Sequence, residues 1–206
     1  VWIVNLYPFI YSFLVEPFIK AWKQRLTRWH VESQSSCVVD VCCGIGRQCE
    51  FLMKNGIKAI GLDLDVNFLR YAKKRCPSIP YVCGDAAHLP FKLDRIPEVQ
   101  FSLGLHDKSP QIRNRMLLEA QQALVPKGGI TILDFEQPWN TLSMAGFYFV
   151  SIFEFLAGWE HFKQSRLFIR RGGLSKLAKE HNLAVIKNHL SESGCSSMIR
   201  ANFGTK

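Results

Sequence analysis

Between residues 37 and 135, apolar runs of strand length alternate with stretches whose apolar residues recur every three or four positions. Cys37 to Val41, Lys58 to Leu62, Pro80 to Cys83, Val99 to Leu103 and Ile130 to Phe135 read as five strands. Arg47 to Lys54, Val66 to Arg75 and Pro110 to Leu124 read as helices between them. Asn55-Gly56 closes the first helix and Asp65 caps the second. Ile112, Met116, Ala120, Ala123 and Leu124 share one face of the third. Pro126-Lys127-Gly128-Gly129 reads as the turn before the fifth strand. This strand–helix rhythm predicts an α/β fold, with a mostly parallel sheet and helices on both faces.

Outside that span the period changes. Residues 1 to 30 read as one or two aromatic-rich helices bounded by Pro8 and Pro17, and Ser33 to Ser36 as a polar loop. Residues 143 to 159 are apolar almost all the way round, broken mainly by Ser143, Ser151 and Glu154. Leu174 to Glu180 reads as a helix, and Leu183 to Lys187 with Met198 to Ala201 as a closing antiparallel hairpin. A single domain over 1–206 is expected: a helical cap at 1–30, a ligand-binding core at 37–135, a helical insertion at 136–171, and a closing helix and strands at 172–206.

The chain of 206 residues is 48% hydrophobic, enough for one packed core. Its formal charge of +9 fits either ordinary solubility or attraction to anionic partners. The seven cysteines are odd in number and include no C-x-x-C pair. That disfavours a disulfide framework, favours a reducing cytoplasmic compartment, and leaves no zinc-like spacing, so no metal is expected. The apolar stretches at 1–15 and 137–153 are too short or too diluted to read as spanning helices.

The chemistry-bearing signal begins at Val38-Val39-Asp40-Val41-Cys42-Cys43-Gly44-Ile45-Gly46. A buried strand runs into a glycine turn and then a helix N-terminus, where a nucleotide-like ligand can rest against backbone amides. Cys49 stands where a dinucleotide fingerprint has its third glycine, so the G-x-G alone also fits a tight turn without a ligand. Asp63 ends the second strand, 19 positions after Gly44, where a carboxylate can accept from both hydroxyls of a ribose. Gly84-Asp85-Ala86-Ala87 follows the third strand, and Asp85 can accept from an adenine amine. The three markers in order predict an adenosyl ligand.

Together with Leu124-Val125-Pro126-Lys127-Gly128-Gly129, these segments resemble the successive motifs of class I S-adenosylmethionine-dependent methyltransferases, over about residues 37 to 135. Leu89-Pro90-Phe91 and the overall layout look like the branch that contains ubiquinone/menaquinone C-methyltransferases and phosphatidylethanolamine N-methyltransferases. The resemblance implies a Rossmann-like doubly wound sheet, S-adenosyl-L-methionine (SAM) as cofactor and S-adenosyl-L-homocysteine as product. It implies that Asp40 and the backbone of Cys42 to Gly44, with Gly46 in the same turn, hold the methionyl amine. Asp63 would hold the ribose, Val66 would pack near the adenine, and Asp85 with the Ala86 backbone would bind the adenine edge. Leu103 and Gly104 would line the methionyl side. Tyr7 and Tyr11 would close over the cofactor carboxylate, or pack in an aromatic core. Cys42 stands where many members have Gly or Ala, Ile45 where Thr is common, and Pro97-Glu98 where Phe-Asp is usual.

Methyl transfer from a sulfonium is an in-line displacement that needs positioning, and a base can activate an oxygen or carbon acceptor. His106 and Asp107, just beyond the fourth strand, are the candidate catalytic residues, with His106 as base. Glu154 and His161, in the insertion after the fifth strand, are candidates for the acceptor pocket, because a lone carboxylate in an apolar helix should be paired or face a cavity. The aromatic segments near 1–15 and 144–159, followed by Lys163, Arg166, Arg170 and Arg171, fit a greasy acceptor pocket, a peripheral membrane contact or a self-packed lid. Aromatics do not alternate with cations as in a nucleic-acid stacking platform. The leading reading is methyl transfer to a small or lipid-like, apolar acceptor. Methylation of a polar metabolite or nucleic acid, and a catalytically silent SAM-fold interaction protein, are the alternatives.

Overall fold

A computed structural model describes residues 12–13, 16–191 and 195–204. The elements run α1 (Glu16–Glu32), β1 (Cys37–Val41), α2 (Arg47–Lys54), β2 (Lys58–Asp63), α3 (Val66–Arg75), β3 (Tyr81–Cys83), β4 (Ile96–Ser102), α4 (Pro110–Ala123), β5 (Leu124–Phe135), α5 (Thr141–Leu156), α6 (Trp159–Arg170), α7 (Gly173–Glu180), β6 (Leu183–Leu190) and β7 (Ser196–Phe203).

Seven strands form one sheet in the order β3-β2-β1-β4-β5-β7-β6. Strands β1 to β5 pair in parallel, and β7 runs antiparallel to both β5 and β6. The chain leaves β1 towards β2 and β3, then returns to place β4 on the other side of β1. Strand order therefore reverses between β1 and β4, and a crevice opens at their carboxyl ends.

Strands β1 and β4, and β5 from Gly129 onwards, bury nearly every residue because helices cover both faces. On one face Val38, Cys49, Leu52, Ile57 and Leu69 pack under α2 and α3. A larger core joins Val39, Val41, Phe101, Ile130 and Ile132 to Met116 and Leu117 of α4, Phe168 of α6 and Leu174 of α7. Helix α1 lays Leu26 and Trp29 on Leu133 and Met198. It also meets α2, where Gln48 donates to Thr27 Oγ1 at 3.0 Å.

Several boundaries differ from the sequence pattern. Strand β4 starts at Ile96, not Val99, and carries Pro97 within it. Ile96 pairs with Leu124 and Glu98 with Gly129, so residues 125–128 bulge out of a strand that begins before the expected turn. Lys127 makes that turn at φ +67°. On α4, Ile112 faces outwards and Arg113 is buried instead, its guanidinium 4.8 Å from the Phe168 ring centre. A cation over an aromatic face outranks the apolar period there. The apolar run at 143–159 is broken by Gly158, at φ +129°, into α5 and α6. Strands β6 and β7 are each longer than the apolar pattern indicated.

Candidate functional site

The turn after β1 is built on left-handed backbone. Cys42, Gly44 and Gly46 have φ of +61°, +53° and +71°. The two glycines have different surroundings. A Cβ on Gly44 would meet nothing within 4 Å, so its face is open to a ligand. A Cβ on Gly46 would lie 2.4 Å from Tyr81 Oη and 2.8 Å from Ala72 Cβ. Gly46, expected beside the cofactor, thus serves the packing of β3 and α3 against the turn. Cys42 holds a conformation that favours glycine, which gives a physical reason for the smaller residue usual at this point. Its thiol is half-buried and pushed well above the ordinary range, first by desolvation and then by the charge of Asp63.

Asp40, Cys42, Gly44 and Leu103 line one narrow hollow at the crevice, with Lys23 and Gln48. Asp40 is 1% exposed. Its Oδ1 accepts from Gln100 Nε2 at 2.8 Å, and Gln100 Oε1 lies 2.8 Å from His30 Nε2. Burial lifts the Asp40 pKa to about 6, against the lowering effect of the Gln100 bond and the Lys23 charge. A cationic ligand group in the hollow would restore the carboxylate. Sequence reading missed Lys23, Gln100 and His30, because nothing in a helical period shows which cation faces a crevice. Lys23 is itself paired with Glu16 on the same helix.

Asp63 stands at the mouth. Its Oδ2 accepts the amide of Gly44 at 2.7 Å and its Oδ1 the amide of Asp65 at 2.9 Å. Burial raises its pKa against these bonds. Asp65 caps α3 as expected, accepting from the amide of Asn67 at 2.7 Å. Val66 is exposed at the start of α3 and Ala86 is buried. Asp85 is half exposed; its Oδ1 accepts from the Ala87 amide and its Oδ2 meets His88 at 3.0 Å. The backbone bond and then His88 hold its carboxyl below the usual range. Gly84 donates to the Asp63 carbonyl, which sets the Asp85 turn beside the end of β2. Asp40, Asp63 and Asp85 therefore follow the carboxyl edge of β1, β2 and β3 in order. Tyr7 and Tyr11 lie outside the described residues.

Beyond β4, Leu103 takes φ +59° and donates its amide to the Leu133 carbonyl at 2.8 Å. Gly104 packs close to Cys42, where a Cβ would come within 2.7 Å of the Cys42 Cβ. The chain then presents His106 and Asp107 to the insertion. Asp134, wholly buried at the end of β5, fixes this loop: its Oδ2 accepts the amide of Leu105 at 2.9 Å and its Oδ1 lies 2.7 Å from His106 Nδ1. Glu154 of α5 turns inwards, its Oε2 3.4 Å from His106 Nε2 and 3.0 Å from His161 Nε2. His161 Nδ1 faces Asp107 at 3.4 Å, and Asp107 is also paired with Lys108.

The four residues singled out separately as catalytic or acceptor-side candidates thus meet in one cluster, with Asp134 as an added member. Burial disfavours charge on His106, but Asp134 and Glu154 outweigh it and hold the imidazolium well above its ordinary pKa. Burial likewise opposes charge on Glu154, but His106 and His161 keep it ionised far below the usual range. The cluster is a set of matched charges under an apolar helix. His106, Glu154 and His161 come from three elements and each places one ligand-type atom within 4.8 Å of the others, so no local spacing could reveal the grouping.

Helix α5 presents Tyr148, Ile152, Phe155 and Leu156 to the outside, continued by Trp159. Arg166, expected on a cationic surface, lies over the Phe147 ring at 4.1 Å. Among the described residues, no helix is long and apolar enough to cross a membrane.

Residues 38–128 match a family described as "Methyltransferase domain". An uncharacterised methyltransferase of Synechocystis is 28% identical over 165 residues, covering 80% of this chain and 74% of that one. The 2-phytyl-1,4-naphtoquinone methyltransferase of the same organism is 32% identical over 133 residues, covering 59% and 54%. The chain spans about half the length of the curated quinone methyltransferases it matches. A SAM-dependent methyltransferase from Methanosarcina mazei shares the fold, with a TM-score of 0.61 over 81% of this chain and 92% of that one at 15% identity.

Proposed function

We propose, for a chain that is a class I S-adenosylmethionine-dependent methyltransferase, that it transfers the SAM methyl group to a lipid-like ring acceptor bearing a hydroxyl, of the quinol type. The observation that carries this reading is the polar cluster of His106, Glu154, His161, Asp107 and Asp134 held beneath an otherwise uncharged apolar helix. An apolar acceptor fits beneath such a helix, and its hydroxyl needs polar partners there. The quinone methyltransferases among the relatives favour the same class.

On this reading the cofactor lies across the carboxyl edge of β1 and β2. Asp40 and the open backbone at Gly44 receive the methionyl ammonium, with Lys23 near the carboxylate. Asp63 takes the ribose hydroxyls, and the turn at Asp85 and Ala86 meets the adenine. Leu103 and Gly104 flank the sulfonium side. Glu154, ionised beside His106, meets the acceptor hydroxyl and takes up its proton, which makes the ring more nucleophilic, while His106, oriented by Asp134, holds that carboxylate in place. The rest of the acceleration is orientation and exclusion of water from the displacement. The exposed apolar face of α5 suits entry of a lipid-like acceptor from a membrane surface, with the protein in peripheral contact.

The test is transfer of labelled methyl from SAM into reduced polyprenyl naphthoquinols, with a polar-metabolite extract run beside it. Label in the quinol fraction, lost in His106→Ala with S-adenosylhomocysteine binding intact, is the expected result. Label only in the polar extract would overturn the acceptor class.

A further inference from the structure

We propose that His106, Glu154 and His161 bind a divalent transition-metal ion. One ligand atom from each lies within 4.8 Å of the other two. Glu154 Oε2 sits 3.4 Å from His106 Nε2 and 3.0 Å from His161 Nε2. Ligand atoms around a four-coordinate ion with bonds of ~2.0–2.2 Å are about 3.3–3.6 Å apart, so these side chains need little movement to close on one.

A second observation points the same way. Glu154 Oε2 is buried and has no aligned hydrogen-bond partner, although two imidazole nitrogens stand at contact distance. The three atoms converge in ion-pair geometry on one point, and a shared divalent cation would take the place of the protons that now lie between them. The outer nitrogens are engaged by carboxylates. His106 Nδ1 is bonded to Asp134 at 2.7 Å, and His161 Nδ1 faces Asp107 at 3.4 Å. A carboxylate behind each histidine fixes the tautomer and aims Nε2 at the ion. Two imidazoles and one carboxylate suit zinc, iron, cobalt or nickel better than magnesium or calcium, which take oxygen ligands. Three protein ligands leave coordination positions for water or an acceptor oxygen.

The ion's part in catalysis rests on the function proposed above: bound to the acceptor oxygen, it would lower that hydroxyl's pKa so that the proton passes to solvent, in place of proton uptake by its own ligands. Binding of the ion does not depend on that reading. The test titrates chelator-treated full-length chain with Co2+ and reads visible d–d absorption, with Zn2+ as competitor and S-adenosylhomocysteine affinity as the check on folding. One equivalent of Co2+ should bind, without the thiolate charge-transfer band that the free cysteines would give. Glu154→Gln and His161→Asn should weaken it on the order of 100-fold or more and Asp107→Asn on the order of 10-fold, with S-adenosylhomocysteine binding retained. No stoichiometric binding of Co2+ or Zn2+ at micromolar concentration, a thiolate band, or undiminished binding in Glu154→Gln would overturn the site. Stoichiometric metal with no quinol methylation would leave the site standing and remove the acceptor proposal.

Discussion

The backbone amide of Gly44 donates to Asp63 Oδ2 at 2.7 Å, so one hydrogen bond ties the turn after β1 to the end of β2. On the proposed cofactor placement, the carboxylate that takes the ribose also holds the loop under the methionyl end. Asp63→Asn keeps one acceptor oxygen for two backbone amides and loses the charge. Hydrogen bonds to charged groups contribute about 1.5–3 kcal/mol, so S-adenosylhomocysteine affinity should fall roughly 10- to 150-fold. Isothermal titration calorimetry reads this directly, and unchanged affinity would remove Asp63 from the cofactor site.

Gly44 and Gly46 should separate binding from stability. Gly44→Ala meets no neighbour and bears only the left-handed backbone cost, about 1–2 kcal/mol. Its methyl group, however, enters the open hollow, and cofactor binding should be largely lost. Gly46→Ala bears the same cost and also drives into Tyr81 and Ala72, which adds about 1–3 kcal/mol of overpacking. Urea denaturation should show Gly46→Ala as the less stable variant, and calorimetry should show Gly44→Ala as the weaker binder. The reverse order would contradict the assigned surroundings.

Asp40 and His30 titrate in opposite directions through Gln100. Asp40 has its folded pKa raised from 3.8 to about 6, so its contribution to stability is full below pH 3.8 and is lost as pH rises through 6. Burial lowers the His30 pKa from 6.5 to about 4, so its contribution is full above 6.5 and is lost as pH falls through 4. Between pH 4 and 6 the two slopes offset each other. Asp40→Asn retains an oxygen for Gln100 and removes one slope, so stability should then rise by about 3 kcal/mol from pH 4 to 6.5. Denaturant midpoints at the two pH values check it. In the wild-type chain, SAM should bind more tightly as pH rises to about 6, with proton release on binding below that pH, because the ammonium favours the Asp40 carboxylate. Calorimetry in buffers of different ionisation enthalpy measures those protons.

The alternation of strands and helices was legible because helices on both faces of the sheet force continuous apolar strands, and the acidic markers sit where strands end. Position along the sheet edge could be read for Asp40, Asp63 and Asp85, since order in the chain maps onto neighbouring strands there. Three-dimensional convergence could not. Asp134 lies at the end of an apolar strand and gives no local signal, yet it anchors Leu105 and His106. Glu154 was conspicuous as the one charge in α5, but its partners His106 and His161 come from a loop and from another helix. Arg113 displaced Ile112 from the inner face of α4 because Phe168, far along the chain, offers it a ring.

The outer face of α5 carries Tyr148, Ile152, Phe155 and Leu156, and Leu156 is 74% exposed. They recur at helical spacing on the side of the helix away from Phe147, which is buried. Each buried apolar side chain contributes about 1.5–3 kcal/mol on transfer from water. If this face meets a bilayer, the double substitution Ile152→Ser/Phe155→Ser removes about 3–6 kcal/mol of insertion energy on that scale, and partitioning into anionic vesicles should fall at least 100-fold. Because neither side chain belongs to the charged cluster, S-adenosylhomocysteine affinity and the rate of methyl transfer to a short-chain, water-soluble quinol should be unchanged. KM for a long-chain quinol presented in vesicles should rise. Flotation with equal recovery of both proteins in the vesicle fraction would contradict the membrane-facing assignment and leave acceptor entry to the polar side of the crevice.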